Sequence, residues 1–321
     1  MHPELLRIPL AGGLSIKSYG TFMVIGFLAA VWVLRRLAKR EGLDPNLINS
    51  VALYALIAGI AGARLFYVIH YWQDFRDDWL EVFRIWRGGL EFLGGVLLAL
   101  LVLLICVRRW RLPAARLLDI CAIGLMVGLV FGRIGCFLNG CCFGRPTDLP
   151  WGVRFPYNSF AYISQINPNP KRNRPHPQLE LPRDYLDYVD QDGRWHPRPL
   201  EQLTSQQRYE VTEGHYRSLP VHPTQIYESI AAFCIAGLLY LFWSHARSDQ
   251  QGRRLYKAGM TFPLMFFSYG LVRFMLEFVR DDNPYEWGRF TISQWLGLGL
   301  AAVGCCIWVI SYLSGRSRSA R

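Results

Sequence analysis

Charge is scarce in this chain of 321 residues: Asp, Glu, Lys and Arg make up 18% of it, against 52% hydrophobic residues. That is rich in apolar side chains for a soluble protein. None of the eight cysteines stands in a Cys-x-x-Cys pair, so the usual thiol–disulfide redox motif is missing. Cys136-x4-Cys141-Cys142 has no partner pair nearby and is not a zinc spacing, so no metal is expected. Low-complexity tracts, obvious internal repeats and the paired broken helices of a transporter are missing too. The first apolar run lacks a basic leader and a small-residue cleavage site, and it reads as a membrane span rather than a cleaved signal peptide. No lipidation motif stands at the N-terminus.

What is present is seven apolar stretches close to the ~20 residues that cross a bilayer, at about 19–36, 50–71, 92–107, 116–138, 225–244, 259–279 and 292–313. Basic clusters follow the first (Arg35, Arg36, Lys39, Arg40), the third (Arg108, Arg109, Arg111, Arg116) and the fifth (Arg247, Arg253, Arg254, Lys257), and fill the tail (Arg316, Arg318, Arg321). Arg7, Lys17, Arg76, Arg84, Arg87, Arg280 and Arg289 are sparser on the other side. The positive-inside rule then predicts an N-terminus outside and a C-terminus in the cytoplasm. The expected fold is an all-α polytopic membrane protein with seven transmembrane helices and a long external loop forming a small head. One membrane domain spans 1–321, and residues 145–220 are the head inserted between the fourth and fifth helices. That loop is polar, with turn chemistry such as Asn167-Pro168-Asn169-Pro170; Leu200 through Tyr209 reads as a short helix. The net charge of +11 reads as topology, and nucleic acid is not an expected partner.

Three arginines lie inside these spans: Arg64, Arg133 and Arg273. An arginine at the bilayer centre costs roughly 2.5–3.5 kcal/mol on insertion scales. Counting ~1.5 Å per residue from the cytoplasmic edge puts all three at roughly 20–24 Å, in the outer half of the core. Guanidinium groups there match the phosphate of an outer-leaflet lipid, which they bind bidentately. Structural ion pairing or snorkelling is the bland alternative, and it weighs most for Arg64, on an otherwise ordinary span. Tyr269, Arg273, Glu277 and Arg280 share one helix face, and a polar stripe on an apolar helix faces the bundle interior or a cavity.

The most specific stretch runs Gly132-Arg133-Ile134-Gly135-Cys136-Phe137-Leu138-Asn139-Gly140-Cys141-Cys142-Phe143-Gly144-Arg145. Its glycines, Gly144 included, allow close backbone approach and a break from helix to loop. Asn139 can donate to a phosphate or glycerol oxygen. This stretch resembles the signature of the prolipoprotein diacylglyceryl transferase family, Gly-Arg-x-Gly-Asn-Phe-x-Asn-x-Glu-x-x-Gly. Other pieces agree in order: Ser18-Tyr19-Gly20, Gly62-Ala63-Arg64-Leu65, Gly88-Gly89-Leu90-Glu91, His222-Pro223-Thr224-Gln225-Ile226-Tyr227-Glu228, and Ser268-Tyr269-Gly270-Leu271-Val272-Arg273. There are three departures. Cys136 stands for the family's asparagine, Cys141 for its glutamate and Leu93 for its histidine.

The resemblance implies an enzyme of a bacterial cytoplasmic (inner) membrane, working without a cofactor. Its partners would be phosphatidylglycerol, membrane lipids, and prolipoprotein signal peptides bearing a lipobox cysteine. The thiol would attack the glyceryl carbon, and glycerol phosphate would leave. The catalytic residues expected are Arg133 and Arg273, for the charge growing on phosphate, with His222 or Glu277 as the base. Leu93 cannot move a proton. The substrate contacts expected are Arg64, Tyr19, Asn139, Tyr269, Gly144 and Arg280; Tyr19 and Tyr269 read equally as interfacial aromatics. For the three clustered cysteines a structural disulfide or inert packing is the preferred reading. The rivals to a transferase are a membrane lipid-binding protein without chemistry and a membrane thiol–disulfide oxidoreductase.

Overall fold

A computed structural model of the chain describes residues 4–8, 14–76, 78–84, 88–190, 192–248, 258–285 and 288–317. Of the basic residues that set the expected orientation, Arg87, Arg253, Arg254, Lys257, Arg318 and Arg321 lie outside them.

The chain is mostly helical. A short antiparallel hairpin, β1 (Glu4–Ile8) and β2 (Leu14–Lys17), leads into α1 (Ser18–Arg40). Then come α2 (Pro45–His70), α3 (Phe92–Arg109) and α4 (Ala114–Asn139). A compact segment follows, with α5 (Phe160–Ile166), the hairpin β3 (Leu186–Val189) and β4 (Trp195–Pro197), and α6 (Ser205–Thr212). The chain closes with α7 (Thr224–Ser248), α8 (Thr261–Leu276) and α9 (Ile292–Ser317). Among the described residues six helices, α1, α2, α3, α4, α7 and α9, are long and apolar enough to cross a membrane. The seventh expected span differs: α8 has only 16 residues, about 24 Å at 1.5 Å per residue against a core of about 30 Å. The apolar pattern continues to about residue 279, but the helix gives way where Glu277 and Arg280 enter it.

Local chemistry explains the boundaries. Asp44 caps α2 by accepting from the Asn46 amide at 2.9 Å, with Pro45 at the first helical position. Gly140, at φ 78°, ends α4 in the left-handed conformation. Thr204 and Gln207 close a capping box on α6; the short helix expected over 200–209 is therefore split into a 3-10 turn at Leu200–Gln202 and α6.

Helix α4 is the hub. It packs on α1, α7 and α8, and the main core is drawn mostly from those four helices, with Ala38, Leu117, Ile120, Ala122, Leu239 and Met265 all buried, joined by Ile48 of α2. The opposite faces carry exposed Leu28, Leu101, Ile105, Phe233 and Leu296. These are apolar surfaces for lipid rather than water. The segment between α4 and α7 has its own cores around Tyr162, Ile166 and Leu179 and around Tyr185, Leu203 and Val211. Gln165 ties it shut, donating to the Leu219 carbonyl and accepting from the Leu219 amide at 2.9 Å.

Asp119 on α4 holds the start of α8. Its carboxylate accepts from the amides of Gly259, Thr261 and Phe262 at 2.6, 2.9 and 3.0 Å, three donors that no helical carbonyl would satisfy. Asp119→Ala leaves them unpaired in a buried place, at a cost of about 1–3 kcal/mol. Thermal unfolding in detergent micelles should show the loss; a variant as stable as the parent would disprove this role.

Candidate active site

Three chain segments converge at one end of α4. After Gly140 the strip Phe143–Arg145 runs between the segment entering α7 and the segment leaving α8. The Gly144 amide donates to the His222 carbonyl at 3.0 Å, the His222 amide to the Arg145 carbonyl at 3.0 Å, and the Arg145 amide to the Val279 carbonyl at 2.8 Å. The strip also receives the Asp281 amide at the Phe143 carbonyl, 3.2 Å away. A Cβ at Gly144 would stand 2.6 Å from the His222 Cβ and 2.7 Å from its carbonyl oxygen, so only glycine allows this approach. The first turn of α7 adds two more ties: Thr224 Oγ1 and Gln225 Nε2 donate to the Cys142 and Cys141 carbonyls, both at 2.6 Å.

This convergence assembles a buried charge network. Arg133 pairs with Glu228 at 2.9 Å, and Arg280 reaches the other oxygen of Glu228 at 3.6 Å. The Tyr269 hydroxyl donates to Glu228 at 3.1 Å. Arg273 pairs with Glu277 at 3.0 Å, one turn along α8. Arg280 and Arg172 face the same Glu277 at 3.8 and 3.4 Å, and Asn283 donates to it at 2.8 Å. Arg280 is also held by Asp282, with bonds of 2.9 and 2.7 Å. Glu228 and Glu277 are almost wholly buried. Buried charges of this kind persist only when paired.

The charges do not cancel. Four guanidinium groups (Arg133, Arg172, Arg273, Arg280) meet three carboxylates (Glu228, Glu277, Asp282), which leaves one surplus positive charge. Arg133 Nε, Arg172 Nη1 and Arg273 Nη1 are buried donors without a hydrogen-bond partner among the described residues. The arrangement is a cation site with hydrogen-bond donors to spare, fit for a single anionic group.

A family model described as prolipoprotein diacylglyceryl transferase matches residues 5–310. The chain belongs to that family. Three curated relatives, each called phosphatidylglycerol–prolipoprotein diacylglyceryl transferase, come from Synechococcus elongatus, Geobacter sulfurreducens and Burkholderia cenocepacia. The first is 28% identical over 330 residues, covering 99% of this chain and 94% of the relative. The second is 27% identical over 308 residues, with 93% and 92% covered. The third is 28% identical over 329 residues, with 97% and 96% covered.

The structure gathers five of the residues singled out in the sequence, Arg133, Tyr269, Arg273, Glu277 and Arg280, into this network. Gly144 and His222 form its backbone frame. His222 Nδ1 lies 3.2 Å from the Tyr227 hydroxyl, which accepts from Trp151 Nε1 at 2.7 Å. Burial lowers the His222 pKa from its ordinary 6.5. Tyr19 packs its backbone against Gly135 at the start of α1, and Asn139 is the last residue of α4 beside Cys141. Leu93, at the family's histidine position, stands exposed on the first turn of α3.

Arg64 departs from the expected ring. Its guanidinium donates to four backbone carbonyls, to Val82 and Gly88 at 2.8 Å, to Gly89 at 3.0 Å and to Glu81 at 2.5 Å. Its cost in an apolar span is offset by fastening the connection between α2 and α3. The fork expected to face a phosphate is thus taken up by main chain. The disulfide reading of the cysteines also gives way: Cys136, Cys141 and Cys142 are free thiols.

Glu228, Arg172 and Asn283 were missed by sequence reasoning. Glu228 carried a usable signal, since a carboxylate five residues into an apolar span is as conspicuous as an arginine. Arg172 carried none: it reaches Glu277 across 105 residues from a polar loop. Removing one partner of a buried network costs about 3–5 kcal/mol. Glu228→Ala should therefore destabilise the protein by that amount in micelle unfolding experiments, while Glu228→Ala combined with Arg133→Met should be less damaging than the sum. Strict additivity would show that the pair is not coupled.

Proposed function

We propose that this chain transfers the diacylglyceryl group of phosphatidylglycerol to the cysteine thiol of a prolipoprotein, the first step of bacterial lipoprotein maturation. The observation that carries the reading is the surplus positive charge with three unpartnered donors, on Arg133, Arg172 and Arg273, in a buried network. A phosphodiester brings one negative charge. When the bond from the glyceryl carbon to the phosphate oxygen breaks and the sulfur–carbon bond forms, the leaving phosphate gains charge. Fixed guanidinium groups in a dry site stabilise that gain most. The nucleophile is a thiolate, and its proton goes to a base.

His222 is the better base of the two expected. Glu277 faces Arg172, Arg273 and Arg280 and accepts from Asn283, so its oxygens are taken up by ion pairs and a hydrogen bond rather than turned toward a substrate thiol. His222, with its pKa lowered by burial, is neutral at pH 7 and keeps a nitrogen to accept one. Tyr269, Arg280 and Asn139 contact the head group, and Tyr19 and Gly144 shape its walls. Arg64 is a positioning residue that fixes the loop beside the site.

In this reading α8 is the seventh transmembrane helix. Its shortfall sits at the end where the network gathers, so the site is sunk into the outer half of the inner membrane. The N-terminus is outside and the C-terminus cytoplasmic. Residues 145–220 form an external head over the site, and the lipobox cysteine enters from the membrane beneath it.

Purified protein given labelled phosphatidylglycerol and a lipobox peptide should move label to the peptide. Arg133→Ala and Arg273→Ala should each lower the rate by about 100-fold or more, and Arg64→Ala should lower stability before it lowers the rate. Retention of the lipid without any transfer, beside a working relative, would make the chain a lipid-binding protein instead. The rate should be full above the lowered pKa of His222 and fall as pH drops through it, below 6.5; His222→Asn should abolish that acid limb. An unchanged limb would remove His222 as the base.

A further inference from the structure

Cys136, Cys141 and Cys142 have no part in the transfer chemistry above. Their three Sγ atoms all lie within 4.8 Å of one another. The sequence spacing does not suggest this, because it arises from a specific backbone path. Cys136 sits on the last turns of α4, Gly140 turns the chain back at φ 78°, and Cys142 adopts φ 60°. A left-handed cysteine is uncommon and costs energy. Its position is over-determined: the carbonyls on either side of the turn are held by Thr224 and Gln225.

The surroundings complete a site. All three thiols are free. Arg133 Nη1 lies 3.7 Å from Cys142 Sγ and can offset negative charge on sulfur. Cys141 and Cys142 line a cavity of about 650 Å³ that extends into the segment after α4, past Ser164 and Asn167, which gives an entry path. Ligand type, ligand count, a charged second layer and access are the requirements for a metal site.

We propose that Cys136, Cys141 and Cys142 bind one soft monovalent metal ion of the Cu(I) class in three-coordinate fashion. Thiolates select Cu(I) and Zn(II) over harder ions. Structural zinc sites take four protein ligands, and among the described residues no histidine or carboxylate joins the three sulfurs. Binding forms three sulfur–metal bonds and releases the three thiol protons to water. The metal keeps its oxidation state, so no oxidant or reductant is needed.

The proposal does not depend on the transferase reading, because its test reads metal and not lipid. The full chain in detergent micelles, reduced and without oxygen, is titrated against Cu(I) held by a chromophoric chelator. One Cu(I) per chain should be withdrawn from the chelator, and X-ray absorption of the copper should show three sulfur neighbours. Cys136→Ser, Cys141→Ser and Cys142→Ser should each weaken binding by about a hundredfold or more. Cys234→Ser and Cys305→Ser, on the exposed faces of α7 and α9, should leave it unchanged. Unaltered binding in the triple variant would overturn the proposal, as would two sulfur neighbours in the parent protein. Zn(II) bound with the same cysteine dependence while Cu(I) is refused would overturn the choice of ion. X-ray absorption uses the unaltered chain, so it decides the matter even if a variant fails to fold.

Discussion

Glu228 and Glu277 are the two charges on which the rest of the site depends. Each is almost wholly buried, and each holds more than one guanidinium: Glu228 faces Arg133 and Arg280, and Glu277 faces Arg172, Arg273 and Arg280. Without these carboxylates the arginines would repel one another in a medium that screens poorly. With them, the arginines converge, and their orientation is fixed before any ligand arrives. Arg280 joins the two halves because it lies past the end of α8, where the chain has left helical geometry and can fold back. The shortness of α8 and the convergence of the charges are thus one feature.

Main-chain pairing supplies the frame in which those charges sit. The strip 143–145 is bonded on both sides, to the entrance of α7 and to the exit of α8. It brings together residues far apart in sequence without using their side chains. That division of labour bears on the departures from the family pattern. Cys136 and Cys141 replace an asparagine and a glutamate next to the frame, but the bonds that hold the frame run through carbonyls and amides. The ion pairs nearby form without either side chain, since Glu228 and Glu277 provide the carboxylates.

Much of this was legible in the sequence, for physical reasons that can be named. The apolar runs gave six of the long helices, because hydrophobic length is set by the membrane and not by tertiary contacts. Arg133, Arg273 and Glu277 stood out because charge in an apolar run must be paid for by a partner. Arg64 obeyed the same rule with a different partner: backbone carbonyls satisfy a guanidinium as well as phosphate does, and depth counting cannot tell them apart. The carboxylate of Glu228 was passed over although the same argument applies to it. The order within 145–220 was not legible, because its cores are built from scattered tyrosines and leucines without a period. The two small hairpins escaped for a similar reason, being too short to show alternation.

Arg172 gives the segment between α4 and α7 a meaning that its sequence does not announce. It is the only one of the four guanidinium groups in the network that does not come from the helices or from the turn after α8. Taken away, three cations would face three carboxylates, and the cluster would be neutral. The attraction for an anion is therefore not a property of the membrane helices alone. It is lent by a peripheral segment, so the helical bundle and that segment form a single electrostatic unit, and changes in a polar loop can set how strongly a buried site draws negative charge.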